Sequence, residues 1–486
     1  MAETTPLVHG PQSMSAQRRP RSLVAVAAFV LTSLFVAVGL AMQKITASPA
    51  VSAMAADAVT SLPRFGQVEE TQYAGLVPVN DGGGNIFYWF FEARTVSPST
   101  PLIVWLNGGP GASSMTGLLT EMGPYRMQAD GSLKSHPHSW TNVAHMLFFD
   151  QPVGTGYTSA TSDDGYVNSQ EEMAAQLYIA LQAFFTLHPE YATSPLIIAG
   201  ESYAGKYVPH IAHYIHTVNI GHNDSLLTKS TDHSVRLNLW GVAIGNGEMK
   251  PLLQTQSVAD YALALGFIDH EQYTTHVASL DQCAQLHHAG RSVEAFGVCQ
   301  DTEDEIYRQA GSPFVYDIRQ EGNAFTALTT TLSSYFNTDD VRAALHVPPG
   351  TPWTSIDGSS FGANPSAPPI ARHLLNDEMR DVPDDVLETL LNAYHVLFYA
   401  GNMDGSSCNH LGVARVLDAL HWDGAASYHS ALRTPWVVNG KVAGLVKSSG
   451  RMSYVVLTNS GHLVPTDQPE HALDLITRFV QQAPFA

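Results

Sequence analysis

The stretch Ser194 to His216, SPLIIAGESYAGKYVPHIAHYIH, constrains this chain more than any other. Its apolar run Leu196-Ile197-Ile198-Ala199 has the length and branching of a buried strand. Gly200-Glu201-Ser202-Tyr203-Ala204-Gly205 follows, and then apolar residues at helical spacing through Ile211 and Ile215. Where a strand turns sharply through a serine into a helix, strand and helix nearly touch, so the residues flanking the serine must be small. Gly200, Ala204 and Gly205 meet that requirement. Such a turn presents the serine hydroxyl at the end of a sheet, where a neighbouring base can activate it. A serine between small residues also fits an ordinary turn, so the remaining chemistry has to come from elsewhere in the chain.

The strand and helix patterns around this turn define the architecture. Ile86 to Ala93 and Leu102 to Leu106 read as strands, as do Met146 to Phe149 and Leu237 to Ile244; Glu171 to Phe185 reads as a helix. The alternation predicts a mainly parallel sheet flanked by helices over residues 66–247. Residues 248–392 break the rhythm. They are richer in His, Gln and Thr and carry Pro-rich pieces, and they read as a cap inserted over the sheet edge where ligands bind. The core resumes over 393–486, with strands at His395 to Tyr399 and Tyr454 to Leu457 and a last helix from about Pro469 to Gln481. A chain of 486 residues suits such a large α/β domain with an insertion, or two to three domains.

The N-terminal region predicts a secretory route. Residues 1–22 end in Arg18, Arg19 and Arg21, and residues 23–42 form an apolar run long enough to span a bilayer. The basic flank keeps the N-terminus cytosolic and sends the following chain into the lumen. Ala53-Met54-Ala55, within a 43–65 linker, fits signal cleavage, so a removed signal peptide and a retained membrane anchor both stay open. Asn223-Asp224-Ser225 is a glycosylation sequon at Asn223. Cys283 and Cys299 lie close in sequence and could pair in an oxidising lumen, leaving Cys408 as a free thiol. A net charge of −20, with 24 basic against 44 acidic residues, disfavours a nucleic-acid partner.

Two further strand ends complete a chemical set. Asp404 follows the strand at His395, and His462 follows the strand at Tyr454, giving the chain order Ser202, Asp404, His462 of α/β-hydrolases. Serine is a weak nucleophile until an imidazole takes its proton, and the imidazole needs a carboxylate to fix its tautomer. The glycine-rich loop Asn107 to Ser114 lacks the lysine of a phosphate-binding loop; its alternative use is to aim bare backbone N–H groups at a developing negative charge. No H-E-x-x-H occurs, and His287-His288 have no acidic residue at ligand spacing, so neither metal nor other cofactor is expected.

Trp105-Leu106-Asn107-Gly108-Gly109-Pro110-Gly111, Gly200-Glu201-Ser202-Tyr203-Ala204-Gly205 and Ser460-Gly461-His462 resemble the signature blocks of the serine carboxypeptidases. Asp150 to Gly156 and Gly245-Asn246-Gly247 resemble intervening blocks, and the resemblance runs from about Gly66 to the C-terminus, weakest in the cap. It implies an α/β-hydrolase fold and stepwise release of C-terminal amino acids from peptides and proteins through an acyl-enzyme. It also implies Ser202 as nucleophile, His462 as base and Asp404 as its orienter. The N–H groups of Gly109 and Tyr203 would form the oxyanion hole. Asn107, Glu121 and Glu201 would bind the substrate's terminal carboxylate, supported by Trp105 and Gly108. Without the resemblance, Glu121 reads as an exposed helix residue.

Crowding of carboxyl groups at that site predicts activity at acidic pH, and with the N-terminal region it predicts a lysosome- or vacuole-like lumen, or secretion, with or without the membrane anchor. Two departures stand out. The family usually carries a cysteine pair where Ala112 and Ile356 stand, and the Asp404 loop is one residue longer before Cys408. The resemblance also implies that Cys408 lies beside the substrate pocket, as a target for thiol reagents. Two rival readings keep the fold: an acyltransferase or esterase using another acceptor, and a protective binding partner of other luminal hydrolases. Oligomeric state is open, a homodimer included.

Overall fold

The computed structural model describes residues 56–221, 235–322, 325–356 and 367–485. The apolar run 23–42, the Ala53-Met54-Ala55 site and Asn223 lie outside the described residues. Among the described residues no helix is long and apolar enough to cross a membrane.

Ten strands form one sheet: β1 (Gln72–Pro78), β2 (Asn85–Phe91), β3 (Leu102–Leu106), β4 (His145–Asp150), β5 (Leu196–Glu201), β6 (Leu239–Gly245), β7 (His395–Gly401), β8 (Thr434–Val438), β9 (Lys441–Ser449) and β10 (Met452–Leu457). Their spatial order is β8-β9-β10-β7-β6-β5-β3-β4-β2-β1. The six strands from β10 to β4 run parallel, and each flank adds two antiparallel strands. β5 lies among the central strands, and all six of its residues are buried, as its continuous apolar run requires of a strand covered on both faces.

Alternate residues point to opposite faces. Leu102, Val104, Ile198 and Val242 pack against helices α2 (Gln170–Leu187) and α3 (Ala204–Asn219) through Leu177, Leu181, Val208 and Ile211. Ile103, Trp105, Ile197 and Ala199 pack on the other face with Leu118 and Leu119 of the short helix α1 (Met115–Thr120) and with Leu475 and Ile476 of the C-terminal helix α10 (Pro469–Gln481).

The stretch 248–392 is mostly helical. Helices α4 (Pro251–Ala264), α5 (His270–His288) and α6 (Ser292–Gln309) surround a small cluster of their own that includes Val258, Leu280 and Ile306. The Sγ atoms of Cys283 and Cys299 are joined at 2.14 Å between α5 and α6. Helix α7 (Phe325–Phe336) and Trp353 reach the sheet core through Leu332, Tyr335 and Phe336. Helix α8 (Asp384–Ala393) lays Leu387, Leu390 and Leu391 on the α3 side, and α9 (His410–Ala419) follows β7.

Candidate active site

The serine turn forms as the small residues require. β5 ends at Glu201, α3 begins at Ala204, and Ser202 between them has φ 63°. A Cβ on Gly200 would lie 2.5 Å from the Leu106 carbonyl oxygen, and one on Gly205 would lie 2.5 Å from the Glu248 nitrogen. Left-handed backbone costs a non-glycine residue on the order of 1–3 kcal/mol. Here it is held by the Ser202 N–H, which donates to the carbonyls of Gly245 (3.1 Å) and Asn246 (3.2 Å) at the end of β6.

Asp404 sits in the loop after β7 and is fully buried. Its Oδ2 accepts from His462 Nδ1 at 2.6 Å and from Asn246 Nδ2 at 2.7 Å. Its Oδ1 accepts from the Ser406 N–H at 3.0 Å and the Ser406 hydroxyl at 2.7 Å. Four donors fix the carboxylate, and the carboxylate fixes the imidazole with its proton on Nδ1, leaving Nε2 free to accept one. The Asp404 and His462 loops touch closely: a Cβ on Gly401 would lie 2.0 Å from the Gly461 oxygen. Asn246 holds both sides, since its Oδ1 also accepts from the Gly401 N–H at 3.0 Å. The sequence marked Asn246 only as the middle of the Gly245-Asn246-Gly247 block closing the strand beside the serine turn, and assigned it no role.

Ser202 and His462 line one cavity of ≈ 370 Å³ together with Asn107, Gly108, Gly109, Glu201, Tyr316 and Leu463. The Tyr316 ring lies 4.6 Å from that of His462. Two hollows elsewhere, beside Arg451 and beside Trp240, contain none of these residues. Gly108 lets the glycine-rich loop approach the serine turn, because a Cβ there would lie 2.4 Å from the Tyr203 nitrogen. Gly109 adopts φ 108°, a backbone that favours glycine. Tyr203 is itself clamped: its hydroxyl donates to Asp377 Oδ2 at 2.9 Å, and Lys206 Nζ lies 4.4 Å from its ring centroid while donating to the Asp377 and Glu378 carbonyls. Neither Lys206 nor Asp377 is signalled by the sequence.

Asn107 joins the carboxyl groups. Its Nδ2 donates to Glu201 Oε1 at 2.9 Å and to Glu121 Oε1 at 3.4 Å, while its Oδ1 accepts from Trp105 Nε1 at 2.9 Å and the Gly117 N–H at 3.1 Å. Glu121 caps the C-terminal end of α1 and is 1% exposed, so the reading of it as an exposed helix residue is corrected. Burial pushes its carboxyl up to about 7, against hydrogen bonds from Glu201 and Asn107 that lower it. Burial, and then the charge of Glu121, pushes Glu201 well above the ordinary carboxyl range. Arg126 adds a positive charge not anticipated from the sequence; it acts on Glu121 from behind, donating to the Glu121 main-chain oxygen at 3.3 Å and the Pro465 oxygen at 2.9 Å.

The missing cysteine pair has a physical counterpart. Ala112 and Ile356 pair as an antiparallel bridge, and the Ser113 N–H donates to the Ser355 oxygen at 2.9 Å. Backbone hydrogen bonding thus ties the two segments where the family's cysteines would. Cys408 is buried, and burial followed by the charges of Glu248 and Asp404 pushes its thiol well above its ordinary value. The thiolate needed for attack by thiol reagents is therefore disfavoured, against the expectation from the sequence.

Comparison with known proteins bears on the chain as a whole. A family model described as serine carboxypeptidase matches residues 63–482. The chain is 32% identical over 427 residues to the probable serine carboxypeptidase CPVL of Mus musculus, covering 86% of this chain and 84% of that protein. It is 31% identical to the vitellogenic carboxypeptidase of Aedes aegypti, over 86% and 85% of the two chains. Among solved structures it resembles the prohormone-processing carboxypeptidase KEX1 of Saccharomyces cerevisiae, with a TM-score of 0.72 and 24% identity over 85% of this chain and 92% of that one. The fold is that of the α/β-hydrolases.

Proposed function

The chain belongs to the serine carboxypeptidase family, hydrolases acting on peptide bonds, and on that premise we propose that it releases C-terminal amino acids one at a time through a Ser202–His462–Asp404 triad. The observation that carries the proposal is the 2.6 Å contact of His462 Nδ1 with the buried Asp404, while His462 itself lines a cavity with Ser202, Asn107 and Glu201. Ser202 Oγ attacks the last peptide carbonyl while His462 Nε2 takes its proton. The N–H groups of Gly109 and Tyr203 receive the developing oxyanion. Collapse passes the proton to the departing amine and leaves an acyl-enzyme, which water cleaves by the same steps in reverse.

Asn107, Glu121 and Glu201 receive the terminal carboxylate. Two buried carboxyls and a third from the substrate cannot all ionise, so a proton held by the pair becomes the donor that binds the substrate. This favours acidic pH and, with the N-terminal apolar run, a luminal compartment of the secretory pathway. The acidic pair also favours peptides with a free C-terminus over the esterase and acyltransferase readings.

The test is a time course on an unblocked peptide followed by mass spectrometry. Successive loss of single C-terminal residues is expected from the wild type. Ser202→Ala should stay folded by circular dichroism and keep only the residual rate, roughly 10³- to 10⁴-fold over water, that binding and oxyanion stabilisation leave. Internal cleavage, or turnover by Ser202→Ala near the wild-type rate, would remove the proposal.

A further inference from the structure

The segment Val315 to Arg319, inside the stretch between β6 and β7, crosses both loops that carry the triad partners. Its backbone bonds the Asp404 loop twice: Ile318 N–H donates to the Met403 oxygen (3.0 Å), and the Gly405 N–H donates to the Val315 oxygen (2.8 Å). It bonds the His462 loop once, where the His462 N–H donates to the Tyr316 oxygen (2.7 Å). A Cβ on Gly461 would lie 2.4 Å from that same Tyr316 oxygen, so the loop and the strap are in contact.

Side chains lock this strap in place. Asp317 is 4% exposed, and both of its oxygens accept from Arg319, Oδ1 from Nε at 2.7 Å and Oδ2 from Nη2 at 2.8 Å; Oδ2 also accepts from Gln320 Nε2 at 2.7 Å. The same guanidinium reaches the His462 loop by two routes. Its Nη1 donates to the Asn459 oxygen at 2.7 Å, and its Nη2 donates to Asp467 Oδ2 at 2.9 Å. Asp467 Oδ2 in turn accepts from the Gly461 N–H at 2.6 Å. The residues on either side of His462 are therefore held through one planar cation.

We propose that Arg319, with Asp317 and Asp467, is a positioning residue for His462, setting the imidazole against Ser202 by fixing the 459–462 loop to the strap. It touches no substrate and acts through the loop. A planar fork with fixed donor directions suits this, since it can satisfy Asp317 and Asp467 and still reach the Asn459 carbonyl, whereas an ammonium is a point charge. The inference rests on the triad reading of the preceding subsection. Loss of the cation should leave the substrate pocket intact and shift the base, and misplacement by an ångström costs on the order of 100-fold in rate.

The test uses a fluorophosphonate probe on the full chain, in which a Ser202 Oγ–P bond forms, the P–F bond breaks, fluoride leaves and the serine proton passes to His462. Saturation kinetics separate the maximal rate of labelling from the probe concentration at half-saturation. For Arg319→Ala we expect the maximal rate per folded molecule to fall on the order of 10- to 100-fold with half-saturation unchanged. Arg319→Lys should recover part of the loss, and millimolar guanidinium ion should partly rescue Arg319→Ala. Asp467→Asn, which keeps an acceptor for Gly461 but loses the ion pair, should fall less and serves where Arg319→Ala does not fold. Labelling of either folded variant within twofold of wild type, or a loss that only tracks the unfolded fraction, would overturn the inference. A wild type that does not label at all would instead remove the triad reading.

Discussion

Replacing Glu121 by Gln probes the buried acid pair directly. The wild-type carboxyl is raised from 4.5 to about 7, mainly by burial. At 1.36 kcal/mol per pKa unit, ionising it inside the fold costs roughly 3 kcal/mol. Because the folded pKa lies above the unfolded one, the stability contributed by the neutral acid is complete below about pH 4.5 and is lost as pH rises through about 7. Glu121→Gln carries no such charge. Urea unfolding of both proteins at several pH values should therefore show wild type losing roughly 3 kcal/mol relative to the variant between about pH 4.5 and 8. Binding follows the same proton. If a free C-terminus binds the protonated pair, KM for an acid peptide should climb about tenfold by one pH unit above the pair's midpoint. The matching C-terminal amide carries no charge to repel and should show no rise. Gln supplies a permanent donor and removes one charge, so the rise for Glu121→Gln should shrink to about twofold. A flat KM for the acid peptide in wild type, an equal rise for the amide, or an unchanged rise in Glu121→Gln would refute the shared-proton account.

Three further outcomes follow from close contacts. Gly108→Ala would put a methyl carbon 2.4 Å from the Tyr203 nitrogen, so peptide turnover should fall at least tenfold, roughly the cost of displacing one oxyanion donor or less, with the circular dichroism spectrum retained; normal turnover would mean that the loop moves freely away. Asn246→Ala leaves the Gly401 N–H and one side of Asp404 without their partner. It should cost about 1–3 kcal/mol by chemical denaturation and lower kcat more than it raises KM, whereas a pure KM effect would contradict an orienting role. Replacing Cys283 and Cys299 by serine opens a bond spanning a sequence separation of 16, with an expected loss of about 3 kcal/mol in stability; non-reducing peptide mapping that found both thiols alkylatable in wild type would remove the bond itself.

How much of this was legible depended on whether the relevant signal was local. β5 and the serine turn could be read because a strand buried on both faces must be continuously apolar, and a strand nearly touching a helix must be lined by small residues. The C-terminal helix was equally clear, with Leu475, Ile476 and Phe479 on one side. The antiparallel hairpin β8–β9 was overlooked although Asn439-Gly440 marks its turn, with both residues at positive φ; Pro435 in β8 and Gly444 in β9, residues that weaken a strand pattern, interrupt its apolar residues. Helix α5, between β6 and β7, was missed because little of its surface is buried. Of the nineteen residues of α5 only His276, Leu280 and Cys283 are buried, too narrow a face to set a periodic pattern. At the site, Ser202, Asp404 and His462 were legible because each stands where a strand ends, and chain order ties them to one sheet edge. Asn246 and Arg319 had no such marker, since their hydrogen bonds to Asp404 and Asn459 bring together residues more than a hundred positions apart. A side chain that catalyses announces itself by its chemistry. One that would aim it is recognisable only by what it touches, and Asn246 and Arg319 both lie outside the strands and helices, where local pattern is weakest.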